Sequence, residues 1–128
     1  MHIHCLGLNH NTTPIHLREQ LAFSDDQVRA SLARFSCGHD TGTIAEIVIL
    51  STCNRIEVYA VSNSRSFAAL ENLIFDTHGV PVNKLDPHLY RYIHRDVVRH
   101  VFNVAAGLDS LVIGEPQILG QVVHALEL

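Results

Sequence analysis

Residues Ile47–Val61, IVILSTCNRIEVYAV, decide the fold. Ile47–Leu50 is a continuous apolar run suited to a strand covered on both faces, and Ile56–Val61 is rich in β-branched and aromatic residues. The short polar stretch Ser51-Thr52-Cys53-Asn54 between them predicts a hairpin. Upstream, Ile3–Leu8 reads as a strand, Asn9–Pro14 (NHNTTP) as a loop, and Ile15–Phe23 as a turn or two of helix. Ser24-Asp25-Asp26-Gln27 has the spacing of a capping box, in which Ser24 and Gln27 satisfy each other's backbone N–H. The helix it opens carries Val28, Leu32 and Phe35 on one face and ends at Cys37-Gly38. Downstream, Ser64 or Ser66 caps a helix bearing Phe67, Leu70 and Ile74, which Gly79 and Pro81 end. His88–His94 predicts a fourth strand, at an edge because Pro87 stands at its start. Asp96–Ala106 predicts a helix with Val97, Val98, Val101, Phe102 and Ala105 as its core face, and Gly107 stops it. Leu108–Glu115 reads as a connector, and Pro116 opens a last helix through Leu128. The pattern is α+β: a ferredoxin-like βαββαβ sandwich with additional C-terminal helices. The apolar stripe of the last helix, Ile118, Leu119, Val122, Val123 and Leu126, meets no stop signal, which predicts a longer polypeptide.

Composition narrows the class. The chain has 128 residues, enough for one domain, and is 47% hydrophobic and 17% charged, which excludes a disordered chain. Its 9 Lys+Arg against 13 Asp+Glu give a charge of -4, which excludes a basic nucleic-acid coat but not an RNA met through a few arginines. Three cysteines, Cys5, Cys37 and Cys53, without CxxC spacing argue against a disulfide framework and for a reducing compartment. There is no secretory leader pattern and no apolar run of membrane-spanning length, so the expectation is a cytoplasmic protein with no membrane partner.

Cys53 is the residue best placed for chemistry, because a thiol on a short polar turn between two strands is presented rather than packed. Arg55 beside it could stabilise a thiolate or bind an anion; the alternative is a small half-buried hydrophobe at Cys53. Cys5 and Cys37 read as structural. His2 and His4 share a strand face but read as exposed terminal histidines, with no third ligand nearby, so no metal is expected. His39, His78, His88 and His124 have no partner close in sequence. His100 falls on the polar flank of its helix, four residues after Asp96, where it could act as acid or base or form a surface ion pair. Arg91, Arg95 and Arg99 read as a solvated face rather than a phosphate stripe. No GxGxxG or GxxxxGK[ST] is present, which argues against nucleotide binding within these residues.

Three stretches together carry a resemblance: Gly7–Phe23 (GLNHNTTPIHLREQLAF), Leu50–Tyr59 (LSTCNRIEVY) and His100–Val122 (HVFNVAAGLDSLVIGEPQILGQV). With them the chain, residues 1–128, resembles the N-terminal catalytic domain of the glutamyl-tRNA reductase family. The resemblance implies NADPH-dependent reduction of glutamyl-tRNA(Glu) to glutamate-1-semialdehyde through a cysteine thioester, the first step of the five-carbon route to tetrapyrroles. It places the catalytic cysteine on Cys53 and an activity-bearing histidine on His100. It implies substrate contacts at Thr52, Asn54, Arg55, Ser110, Glu115, Pro116, Gln117 and Gln121, with Arg55 as the fork for the glutamate carboxylate. It further implies that NADPH is bound by a domain absent from this chain, as is the dimerisation domain. A full-length homodimer and glutamate-1-semialdehyde aminomutase as downstream partner follow from it. Two other readings compete: a non-catalytic ferredoxin-like binding module, and, more weakly, a His-rich metal-binding protein.

Overall fold

A computed structural model describes residues 1–36, 44–107 and 116–127. The strands are β1 (His2–Asn9), β2 (Ile44–Ser51), β3 (Arg55–Ser62) and β4 (Tyr90–Ile93). The helices are α1 (Ile15–Leu21), α2 (Asp25–Ser36), α3 (Ala68–His78), α4 (Val82–Leu85), α5 (Arg95–Ala105) and α6 (Pro116–Glu127), with a 3-10 turn at Asp86–His88. The strands form one antiparallel sheet in the order β2-β3-β1-β4. The expected end of α2 at Cys37-Gly38, the GHDTGT loop and the connector Leu108–Glu115 lie outside the described residues.

Local signals set these elements. Ser24 Oγ accepts the Gln27 N–H at 3.1 Å and Gln27 Oε1 accepts the Ser24 N–H at 2.9 Å, closing the predicted box. Ser66 Oγ accepts the Ala68 N–H at 3.1 Å at the start of α3. Gly79 ends α3 in the left-handed conformation (φ 70°) and donates its N–H to Phe75 O at 2.7 Å. β4 is shorter than predicted, because Pro87 and His88 are taken into the 3-10 turn and His94 bends the chain at φ 55°. It is an edge strand, as Pro87 indicated.

The two faces of the sheet differ in chemistry. Leu6 and Leu8 of β1, Ile49 of β2, and Ile56 and Val58 of β3 pack against Leu21, Val28 and Leu73 of α1–α3 in the main core. Each such side chain contributes about 1.5–3 kcal/mol by leaving water. The opposite face is covered by α5 and α6, so the C-terminal helices form a third layer rather than an appendage. There Leu50, Val104, Ile118 and Ala125 make a smaller apolar core. Beside it lie Cys5, Glu57, Tyr90 and His100.

That polar patch corrects the reading of α5. Its buried residues are Val97, His100 and Val104, while Phe102 is 68% exposed. The sheet below carries Glu57, which is fully buried, and leaving a buried charge unpaired costs about 3–5 kcal/mol. Exposing a phenylalanine costs at most about 3 kcal/mol. The helix therefore turns His100 to the carboxylate and leaves Phe102 outside.

His4 is a second correction, being fully buried and stacked on Phe67 with ring centroids 4.3 Å apart. His2 stacks on His94 at 5.3 Å. Arg91 is half-buried, pairing with Glu71 at 3.0 Å and Asp86 at 2.6 Å.

Candidate functional site

The β2–β3 turn is built by its own side chains. Thr52 Oγ1 accepts the N–H groups of Asn54 and Arg55, each at 3.2 Å, and Thr52 N–H reaches Arg55 O at 2.8 Å. Those bonds close the turn on Thr52 and leave Cys53 exposed at its tip. The β1–α1 loop braces it: His10 N–H bonds Asn54 O at 2.8 Å, and Asn9 Oδ1 holds the loop through Asn11 N–H at 2.9 Å. Arg18 of α1 donates from Nη1 to Cys53 O at 2.8 Å and to Asn54 Oδ1 at 3.4 Å. Cys53 thus rides on a turn clamped from two sides, with its thiol outward. Sequence reasoning passed over Arg18; no local pattern marks it, because its partners lie 35 and 36 residues away.

Behind the turn the chain goes inward. Arg55 is 1% exposed and its Nη1 lies 3.5 Å from Glu57 Oε1. Glu57 accepts the Tyr59 hydroxyl at 2.8 Å on Oε1 and the Tyr90 hydroxyl at 2.7 Å on Oε2, and His100 Nε2 meets Oε2. Burial alone would raise the Glu57 carboxyl. The hydrogen bond from His100, the Arg55 guanidinium and the Tyr90 hydroxyl outweigh that and hold it below the ordinary value of 4.5. Burial and then the Glu57 charge push the Tyr59 and Tyr90 hydroxyls upward, so both remain donors. Burial likewise raises the Cys5 thiol, consistent with a structural cysteine.

The expected site residues are therefore only partly brought together. Thr52, Cys53, Asn54 and Arg55 share one end of the sheet. His100 meets Glu57 rather than Asp96, and no hydrogen bond joins it to Cys53 among the described residues. Glu57 stands two residues into β3 from Arg55, about 7 Å of strand beyond the turn that carries Cys53. Gln121 is exposed on α6, beside a cavity of about 450 Å³ that also contacts Phe23, Asp25, Ser51 and His124. Ser110 and Glu115, and the side chains of Pro116 and Gln117, lie outside the described residues. His88 and His124 have partners distant in sequence: His88 Nδ1 lies 2.8 Å from Thr12 O, and His124 Nε2 lies 3.1 Å from Asp25. Glu57 was missed from sequence; the available signal was a lone acid within the apolar alternation of β3.

Two questions of cofactor fit follow. Cys5, Glu57 and His100 place one ligand atom each within 4.8 Å of the others, a grouping able to hold a metal ion. The Glu57 oxygens there already accept Tyr59, Tyr90 and His100, so the cluster is satisfied by the protein itself. The two cavities beside α6 do not fit a dinucleotide. The cavity of about 400 Å³ between α5, α6 and the sheet is walled by side chains such as Val48, Val98, Phe102 and Val122. Neither it nor the cavity beside Gln121 is lined by Lys or Arg to hold a phosphate.

The fold and the turn define a class: an α+β domain that displays one cysteine on a braced hairpin, above a buried guanidinium, carboxylate and imidazole. The chain matches the family described as "Glutamyl-tRNAGlu reductase, N-terminal domain" over residues 6–128, and it belongs to the glutamyl-tRNA reductase family. It is 47% identical over 127 residues to the glutamyl-tRNA reductase of Geobacter sulfurreducens, covering 98% of this chain and 29% of that one. To that of Aromatoleum aromaticum it is 45% identical, with 98% and 29% covered. Among solved structures, glutamyl-tRNA reductase from Methanopyrus kandleri aligns with a TM-score of 0.71 and 30% identity, over 98% of this chain and 27% of that one. The chain thus spans less than a third of the length of these relatives.

Proposed function

We propose that this domain carries out the acyl-transfer half of glutamyl-tRNA reduction, on the way from glutamyl-tRNA(Glu) to glutamate-1-semialdehyde and tetrapyrroles. The observation that carries the reading is the exposed Cys53 on its clamped turn. The Cys53 thiol gives up its proton, and the thiolate attacks the ester carbonyl of the glutamyl group. The carbon–sulfur bond forms, the bond to the ribose oxygen breaks, and that oxygen leaves as a hydroxyl after taking a proton. His100 serves as the acid–base group for these protons. Thr52 and Asn54 shape the turn around the substrate. Arg55 recognises the glutamate carboxylate, and Ser110, Glu115, Pro116, Gln117 and Gln121 supply contacts from the α6 side.

The chemistry proposed for this chain's own residues ends at the thioester; reduction belongs to NADPH. The same reading takes the sheet order β2-β3-β1-β4 as ferredoxin-like. It also makes the full-length protein a cytoplasmic homodimer that hands its aldehyde to glutamate-1-semialdehyde aminomutase. Among the described residues no helix is long and apolar enough to cross a membrane. The test is transfer of radiolabelled glutamate from glutamyl-tRNA to the protein. Wild type should be labelled and Cys53→Ser should not; equal labelling of both removes Cys53 as the nucleophile.

A further inference from the structure

We propose that Glu57 is a positioning residue that fixes the tautomer of His100, keeping the proton on Nε2 and leaving Nδ1 as the proton-accepting atom. The inference rests on the reading of His100 as the acid–base group, and it comes from the hydrogen bonds at the centre of the sheet. An ionised carboxylate only accepts, so each atom that faces it must carry a hydrogen. Glu57 is fully buried, takes the hydroxyls of Tyr59 and Tyr90 and meets His100 Nε2, with the Arg55 guanidinium in ion-pair range of Oε1 at 3.5 Å. Nε2 is thereby the protonated nitrogen. Nδ1 makes no hydrogen bond among the described residues and is not among the buried unpaired atoms. It is the free lone pair of the ring.

Packing holds the ring in that pose. Tyr90 meets it edge-on at 5.3 Å between centroids and Tyr92 lies tilted at 4.8 Å. Glu57 has little freedom of its own: a Cβ on Gly7 would stand 2.9 Å from its Cγ, so the bare backbone of β1 is already close. Held below the ordinary carboxylate range by these partners, Glu57 is ionised at neutral pH. Removing a carboxylate that orients a metal-bound imidazole costs about 10–100-fold, and an effect of that order is expected of Glu57 on His100.

The test has two independent readouts. In the wild-type chain, ¹⁵N spectra of His100 should show the Nε2–H tautomer, and Glu57→Gln, whose amide can donate as well as accept, should lose that preference. In the glutamyl-transfer assay, E57Q should slow labelling of Cys53 at least about 10-fold with little change in the tRNA concentration at half-saturation. In an H100N background the same change should cost less than about twofold. Equal losses in both backgrounds would make Glu57 a structural residue only and overturn the proposal. So would an Nδ1–H tautomer in wild type, or a stoichiometric metal bound by His100 in the purified chain. If wild type shows the Nε2–H tautomer yet transfers no glutamate, the positioning stands and the acyl-transfer reading falls. Should E57Q fail to fold, the wild-type spectrum still decides the tautomer.

Discussion

Gly7→Ala tests the architecture of the polar face with a single methyl group. Gly7 stands opposite both Glu57 on β3 and Tyr90 on β4. A Cβ there would lie 2.9 Å from Glu57 Cγ, 2.9 Å from Tyr90 Cε1 and 3.1 Å from the Ile56 carbonyl oxygen. Ordinary carbon contacts are about 3.5–4.0 Å, so something must give by more than half an ångström. The Ile56 oxygen is backbone of the paired strand. The two side chains are tied to each other through the Tyr90 hydroxyl at 2.7 Å. Overpacking of this kind costs about 1–3 kcal/mol, and loosening a hydrogen bond to a charged group costs a similar amount. We expect a loss of about 3 kcal/mol, near 10 °C in melting temperature for a domain of this size. The control is Gly120→Ala on α6, where nothing lies within 4 Å of the new methyl. Helix propensity predicts a gain there of up to about 1 kcal/mol. Thermal and urea unfolding followed by circular dichroism measure both. A neutral or stabilising Gly7→Ala would refute the reasoning, because relief of glycine's backbone entropy would then have outweighed a contact that the register makes unavoidable.

Acid stability should fall in two windows. His4, lowered from 6.5 by burial and then by the neighbouring imidazoles, makes the unfolded chain the better proton binder, so stability starts to drop as pH falls below about 6.5. Glu57, held below 4.5, adds stability that is complete above that value and is lost as pH falls through its folded value. Urea midpoints measured against pH should therefore show a flatter limb below 4.5 in Glu57→Gln; a limb identical to wild type would deny the depressed carboxyl. Ser24→Ala should cost about 1 kcal/mol by opening the capping box, readable as a lower urea midpoint with unchanged slope, and a change in slope would mean that more than a cap was lost.

What could be read from sequence, and what could not, divides by the distance to the partner. The hairpin around Cys53, the Ser24–Gln27 box and the Gly79 cap all depend on residues within four positions of one another, and their signals stand in the string of letters. The polar face depends on register. Glu57 meets Gly7 from β1, Tyr90 from β4 and His100 from α5 only because β1 pairs both strands at Gly7. A slip of one residue would turn Glu57 into the apolar core on the other face of the sheet. No pattern within β3 announces that outcome. The helical wheel of α5 pointed the wrong way for the same reason. It ranked His100 as polar and Phe102 as apolar, a ranking that holds only when the surface below is itself apolar. Beside the lone acid of β3, a second local trace of the arrangement is Gly7, a glycine inside the apolar run Leu6–Leu8. Such a residue weakens a strand unless something must approach the backbone closely. Here a carboxylate and a phenol do. Through Arg55 and His100, that carboxylate links the turn that carries the thiol to the helix that carries the imidazole, so the tightest constraint on the candidate site sits where the sequence shows the least side chain.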